Sequence, residues 1–216
     1  REVEDLLELL YREGARLKPS KLHLCVPCDQ PLEVLGYVLQ NKRLRKRDSD
    51  MDAIKNFPTP TTKLQLQRFL GAVEWVRRFI PALARTEGPL IAAGAMPDGI
   101  KAENQRLKKE GKPLRRNWDL KVEGEALRSF EHTKKAILEA VELSVFHDDD
   151  KTWETIIALD AGGGALAGVL MQRKREGPPL YQIVACASRR MSSAELGYVP
   201  MEQELLSIYY CLRQWS

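Results

Sequence analysis

Apolar positions recur at helical spacing in several stretches of the first 142 residues and at strand spacing from Trp153. Val3, Leu6, Leu7 and Leu10 share one face, which predicts a helix over residues 3–14 with Gly14 as its stop. Leu22, Leu24 and Val26 alternate with polar positions, as a half-buried strand does. Residues 34–39 form a second β-prone run, with Asn41-Lys42 as the turn after it. A short helix is expected over residues 48–57, with Ser49 as N-cap and Pro58 and Pro60 as breakers. Thr61 or Thr62 caps the next helix, whose Leu66, Phe69, Leu70, Val73 and Val76 recur at three and four. Pro81 ends or kinks it. Residues 91–117, rich in Gly, Pro, Lys and Arg, read as a linker or inserted loop. A helix over 121–142 places Leu127, Phe130, Ile137, Leu138 and Val141 on one side. Three strands are then predicted at 153–160, 165–173 and 180–188, with turns at Gly163-Gly164 and at 176–179. A last helix starts near Pro200.

Composition adds little to this picture, but charge distribution adds more. The chain has 216 residues, 44% of them hydrophobic, and a formal net charge of +4. That charge does not by itself argue for nucleic acid. Residues 42–47, however, hold five cations in six positions, and a second basic stretch runs over 101–116. Such clusters attract phosphate; a solvated surface run or a localisation signal is the competing reading. Cys25 and Cys28 have zinc-knuckle spacing without a second Cys or His pair nearby. Reduced thiols and an intracellular location, cytoplasmic or nuclear, are the default for four scattered cysteines. No apolar run of 18 residues predicts a membrane span, and no signal peptide is recognised. A first residue Arg1 and a last residue inside a predicted helix suggest a piece of a longer protein.

Two acids carry the sharpest chemistry. Asp160 ends the apolar run 153–160, where a carboxylate is costly unless it meets a metal or a partner. A turn-initiating Asp before the glycines is the plainer alternative. On a helical wheel Glu204 borders a stripe of Met201, Leu205, Ile208 and Leu212, expected to face the core. A boundary acid paired with Arg189 or Arg190 is the alternative there. Glu202 lies in the first turn, where it favours the helix dipole.

Several motifs follow one another in a recognisable order. They are Leu35-Gly36-Tyr37-Val38, Phe57-Pro58-Thr59-Pro60-Thr61, Leu66-Gln67-Arg68-Phe69-Leu70-Gly71 and Arg77-Arg78-Phe79-Ile80-Pro81. Downstream come 126–138, 145–148, Asp160-Ala161 through Val169-Leu170-Met171-Gln172, Ala187-Ser188-Arg189 and 198–206. Together they resemble the Pol polyprotein of gypsy-type LTR retrotransposons over nearly the whole chain. Glu74-Trp75-Val76 stands where that family usually has a Tyr pair, and Gly162 where it usually has Ser.

The resemblance implies an α+β or α/β chain: a helical thumb and connection region, then an incomplete RNase H-like β-β-β-α unit. Residues 1–47 would end the reverse-transcriptase palm with a primer-grip-like hairpin, 48–92 form the thumb, 93–117 a basic insert, 118–150 the connection and 151–216 the nuclease unit. Leu35, Gly36 and Tyr37 would lie at the primer grip. Lys42, Arg43, Arg45, Lys46 and Arg47, with Arg68, Arg77 and Arg78 of the thumb, would meet phosphates of an RNA–DNA hybrid. Asp160 and Glu204 would be two catalytic and metal-binding acids of a two-Mg²⁺ site, with further acids beyond Ser216 and the polymerase motif before Arg1. An incomplete sheet leaves an open edge, to be covered by a continuation of the chain or by a protein partner. Two other readings stay open. One is a retroelement-derived structural subunit without activity; the other is a generic basic nucleic-acid-binding module.

Overall fold

A computed structural model describes residues 2–19, 22–140 and 142–216. The first helix, α1 (Glu2–Arg12), is followed by Gly14 at φ +75°, and the Ala15 N–H returns to the Leu10 carbonyl. The strand predicted around Leu22, Leu24 and Val26 does not form. Cys25 sits at φ +51°, Pro27 offers no N–H, and Leu22 and Leu24 remain exposed. Alternation without a neighbouring edge has no ladder to join.

The first sheet is antiparallel, in the order β1 (Leu32–Val34), β2 (Tyr37–Gln40), β3 (Arg43–Lys46), β4 (Leu143–Ser144). The run 34–39, read as one strand, is split by a tight turn at Leu35-Gly36. Both of its central residues have positive φ, 50° and 79°. Asn41-Lys42 makes a second turn of the same kind, at 51° and 59°. Such turns match the strand twist of a hairpin.

A helical body follows. α2 (Asp48–Lys55) starts one residue before Ser49, so Arg47 is its N-cap and no side chain caps it. Thr62 does cap α3 (Lys63–Val76), accepting from the Gln65 N–H at 3.3 Å. Leu66, Phe69, Val73 and Val76 of α3 are buried. A 3-10 turn (Arg77–Phe79), α4 (Leu83–Thr86) and α5 (Gly88–Ala93) complete this side. The predicted linker contains a helix of its own, α6 (Asp98–Lys109), with no buried residue. The returning segment is pinned by two hydrogen bonds between Asn104 and the Arg115 backbone. The base of the excursion is closed where Thr62 bridges Asp119.

α7 (Gly124–Leu138) packs Phe130 against Phe69 with ring centroids 4.7 Å apart. Phe130 and Ile137 are buried as expected, whereas Leu127 and Leu138 are exposed. Val141 lies outside the described residues.

The second sheet is β5 (Trp153–Gly162), β6 (Ala165–Lys174) and β7 (Gln182–Arg190), again antiparallel and in that order. Gly163 and Gly164 turn at φ 61° and 71°. Helix α8 (Pro200–Trp215) covers one face. Among the described residues, β5 pairs only with β6, so its outer edge is open. Buried Gln172 ties this sheet to the segment before it. It accepts from the His147 N–H at 2.8 Å and donates to the His147 carbonyl at 2.9 Å. Gln172→Leu leaves both backbone groups without these partners. It is expected to destabilise the chain by about 1–3 kcal/mol, read from urea unfolding.

Candidate nucleic-acid interface and carboxylate pair

The hairpin tip is built from Leu35 and Gly36. Leu35 is 82% exposed. A Cβ on Gly36 would sit 3.3 Å from Trp75 Cζ2, so the glycine serves both its positive φ and the close approach of Trp75. Tyr37 is half-buried, stacked on Trp75 at 5.6 Å and tilted against Phe79 at 5.8 Å. It packs within the protein, while Trp75 remains 50% exposed.

The basic run divides by strand alternation. Lys42, in the turn, and Arg43 are exposed. Arg43 pairs with Glu142 at 3.3 Å, Arg45 with Asp48 at 3.1 Å and Arg47 with Asp50 at 3.3 Å. Lys46 departs from the expectation of a phosphate-facing cation. It is 5% exposed, and its ammonium lies 3.9 Å from the centre of the Tyr37 ring and 3.8 Å from that of Trp75. The ammonium has no hydrogen-bond partner. Cation–π attraction replaces part of the lost hydration.

Burial pushes the Lys46 pKa down to about 8, aided by Arg78 and Arg47 and opposed by Asp50. The folded chain therefore holds this proton less tightly than the unfolded chain, whose lysine titrates near 10.5. By linkage, stability from this group rises as pH climbs from about 8 to 10.5. Thermal unfolding across that window is expected to show the gain in the parent chain and its loss in Lys46→Met.

Arg68 and Arg78 are exposed, on α3 and on the 3-10 turn. Arg77 is not presented to solvent in the same way. Its guanidinium bonds Glu74 at 2.7 Å and the buried Glu87 at 2.8 Å. Burial works against the charged Arg77, but Glu87 and Glu74 outweigh it and hold its pKa above the ordinary value. Burial raises that of Glu87 despite Arg77.

Asp160 pairs across the sheet with Ala167, and Ala167 with Ser188. Cross-strand partners share a face. Ser188 Oγ accepts from the Ala84 N–H, so this face meets α4. There the Arg85 guanidinium grips Asp160 at 2.6 Å and donates to the Gly162 carbonyl at 3.2 Å. A Cβ at Gly162 would lie 3.2 Å from Arg85 Nη2, so the glycine gives the guanidinium room. Sequence reasoning does not single out Arg85.

Leu159 and Gly168 occupy the opposite face. A Cβ on Gly168 would come within 2.5 Å of Cys211 Sγ on α8. The helix thus rests on the sheet through Ser207 and Cys211, both buried. The stripe of Met201, Leu205, Ile208 and Leu212, expected to face the core, is exposed. Glu204 is exposed as well, and Glu202 caps the helix by accepting from the Val199 N–H at 3.0 Å. Arg189 pairs with Glu195, not Glu204, through two 2.8 Å bonds. These bonds hold the Glu195 pKa down at about 2.

Asp160 and Glu204 therefore spring from opposite sides of the sheet, and Asp160 already has a cationic partner. Among the described residues no group of three or more His, Cys, Asp or Glu gathers to hold a metal. Two oxygen donors alone do not complete a two-magnesium site. No helix among the described residues is long and apolar enough to cross a membrane.

Residues 123–216 match the family described as the RNase H-like domain found in reverse transcriptase. Over 213 residues the chain is 24% identical to the Tf2-3 and Tf2-4 transposon polyproteins of Schizosaccharomyces pombe (strain 972 / ATCC 24843). The alignments cover 99% of this chain and 14% of each relative, so the chain spans about a seventh of the curated relatives it matches. Among solved structures, the foamy viral protease-reverse transcriptase in complex with RNA/DNA hybrid is similar, with TM-score 0.60 and 21% identity. That match covers 85% of this chain and 22% of that one. The same viral protein as dRH with ds DNA matches with TM-score 0.60 and 20% identity, covering 85% and 28%. The fold is thus a mixed helix-and-sheet arrangement with an RNase H-like unit.

Proposed function

We propose that the chain is part of a gypsy-type retrotransposon Pol polyprotein, and that its task is to hold an RNA–DNA hybrid during reverse transcription. The observation that carries this reading is the Leu35-Gly36 tip, which projects beside the half-exposed Trp75 ring. A backbone turn and an aromatic face suit contact with a strand through sugars and bases. Lys42, Arg43, Arg68 and Arg78 add exposed cations, which give sequence-independent affinity. Similarity to transposon polyproteins and to a viral enzyme captured with RNA/DNA hybrid supports it.

Fluorescence anisotropy with a short RNA–DNA hybrid tests the proposal. Binding should weaken as salt rises. Lys42→Gln, Arg43→Gln and Arg68→Gln should each lower the log–log salt slope by roughly 1 where a phosphate contact is lost. Absence of hybrid affinity at low salt would sink the reading.

Mg²⁺-dependent cleavage of the RNA strand, with Asp160 and Glu204 as contributed acids, belongs to the same proposal at the level of the longer polyprotein. Asp160→Asn in that protein is expected to abolish cleavage and spare binding; unchanged cleavage removes the catalytic assignment. The grip of Arg85 on Asp160 favours a second reading, a retroelement-derived structural subunit without activity. A folded chain with neither Mg²⁺ nor hybrid affinity, built tightly into a protein assembly, would support that one.

A further inference from the structure

A cleft of about 690 Å³ separates the helical body from the second sheet. One wall is Trp75, Arg77, Arg78 and Glu87; the other is the end of β7, including Arg190, with Tyr210 of α8. The volume lies within the range of small-molecule sites. We infer that this cleft binds one phosphate-bearing nucleotide unit.

Three features of the lining specify that chemistry. The first is charge. Arg77 is committed to Glu74 and Glu87, and Arg189 to Glu195. Among the described residues the guanidinium groups of Arg78 and Arg190 have no hydrogen bond or ion pair. Arg190 feels the charge of nearby Glu87, but neither guanidinium is hydrogen-bonded, and two such forks at one cleft match the oxygens of a phosphate.

The second is an unmet demand for hydrogen bonds. Arg77 Nη1 and Glu87 Oε1 are buried without partners, although both residues line the cleft. Glu87 is 1% exposed. Buried polar groups in folded proteins are overwhelmingly paired, so this orphaned donor and acceptor call for a ligand that offers both senses. A phosphate oxygen answers Arg77, and a sugar hydroxyl or base amino group answers Glu87.

The third is the Trp75 ring, half-exposed at the mouth and held from behind by Tyr37. A flat base stacks on such a platform. An inorganic anion would satisfy only the charge, and a bare nucleoside only the ring and the acceptor. A nucleotide meets all three. The site shares Trp75 and Arg78 with the proposed hybrid contact, but it does not depend on the Asp160 and Glu204 assignment.

The shared chemistry has two sources, a free mononucleotide or the 5′-phosphorylated end of a strand. Calorimetric titration of the whole chain with adenosine monophosphate, inorganic phosphate, adenosine and a 5′-phosphorylated trinucleotide separates them. Saturable adenosine monophosphate binding, at least about tenfold tighter than phosphate or adenosine, supports the site with free nucleotide as its ligand. Trinucleotide binding without mononucleotide binding supports it with a strand end. In either case Arg78→Gln and Arg190→Gln should each weaken binding by about tenfold with an unchanged melting temperature. Equal affinity for phosphate and nucleotide, no saturable binding of any probe, or indifference to both variants would overturn the inference.

Discussion

Glu87→Ala is expected to destabilise the chain by about 3 kcal/mol, the lower end of the range for breaking a buried ion pair. Glu87 is almost fully buried and its Oε2 lies 2.8 Å from the Arg77 guanidinium. Removing it strands a partly buried cation whose other partner, Glu74, is itself largely exposed. That second partner holds the cost at the lower end. Glu87→Gln keeps a hydrogen-bonding oxygen and should cost less. The informative comparison is the double variant Arg77→Met/Glu87→Leu. Apolar replacement of both partners is often close to neutral, so the double variant should be more stable than Glu87→Ala alone. Chemical denaturation of all three variants checks the order. A double variant no more stable than Glu87→Ala would contradict it.

Phe130→Ala is expected to cost about 3–5 kcal/mol, as large-to-small changes of aromatic core residues do. Phe130 is fully buried at the contact of α7 with α3, against Phe69. Phe57 also packs on Phe69, with ring centroids 5.4 Å apart. The three rings join segments that are far apart in sequence, so the cavity cannot close by moving one loop. Phe130→Leu retains more of the volume and should lose less. The measurement is the denaturation midpoint at unchanged slope, which separates lost stability from a changed unfolded state.

The sequence was most legible where burial and hydropathy coincide. In α3 Leu66, Phe69, Val73 and Val76 are buried at the expected spacing and Thr62 announces the start, so pattern and structure agree there, although Leu64 and Trp75 are exposed. In α8 they part company. The seam with the sheet is made of Ser207, Cys211 and Gly168, small residues that let the backbones approach. A hydropathy wheel gives weight to Met201 and Leu205 instead, and so selects the exposed side. Helix α6 escapes the pattern because it fully buries no residue and its apolar side carries only Ile100 and Leu107, half-buried, among charged and polar positions. Lys46 was misread because its cage is assembled from Tyr37 and Trp75, whose convergence no local window contains. For the carboxylates, sequence located Asp160 at a strand end. Which face of the sheet it occupies, and Arg85 waiting there, are matters of register and tertiary packing.

The short strand β4 carries a consequence for how this chain reaches its fold. Arg43 pairs with Ser144 and Leu44 with Leu143, so the first sheet is closed by residues about a hundred positions downstream. Everything between them, the whole helical body, is a loop whose ends must meet. Chain entropy opposes that meeting before any contact rewards it, and non-local pairing of this kind slows folding. During synthesis the hairpin of β2 and β3 emerges early, and its outer edge stays unsatisfied until β4 leaves the ribosome. The helices between can collapse around Phe69 and Phe130 first and so bring the two ends together. Refolding should therefore be slowest at the β3–β4 junction, with amide exchange at Val145, which bonds the Lys42 carbonyl, among the last to gain protection.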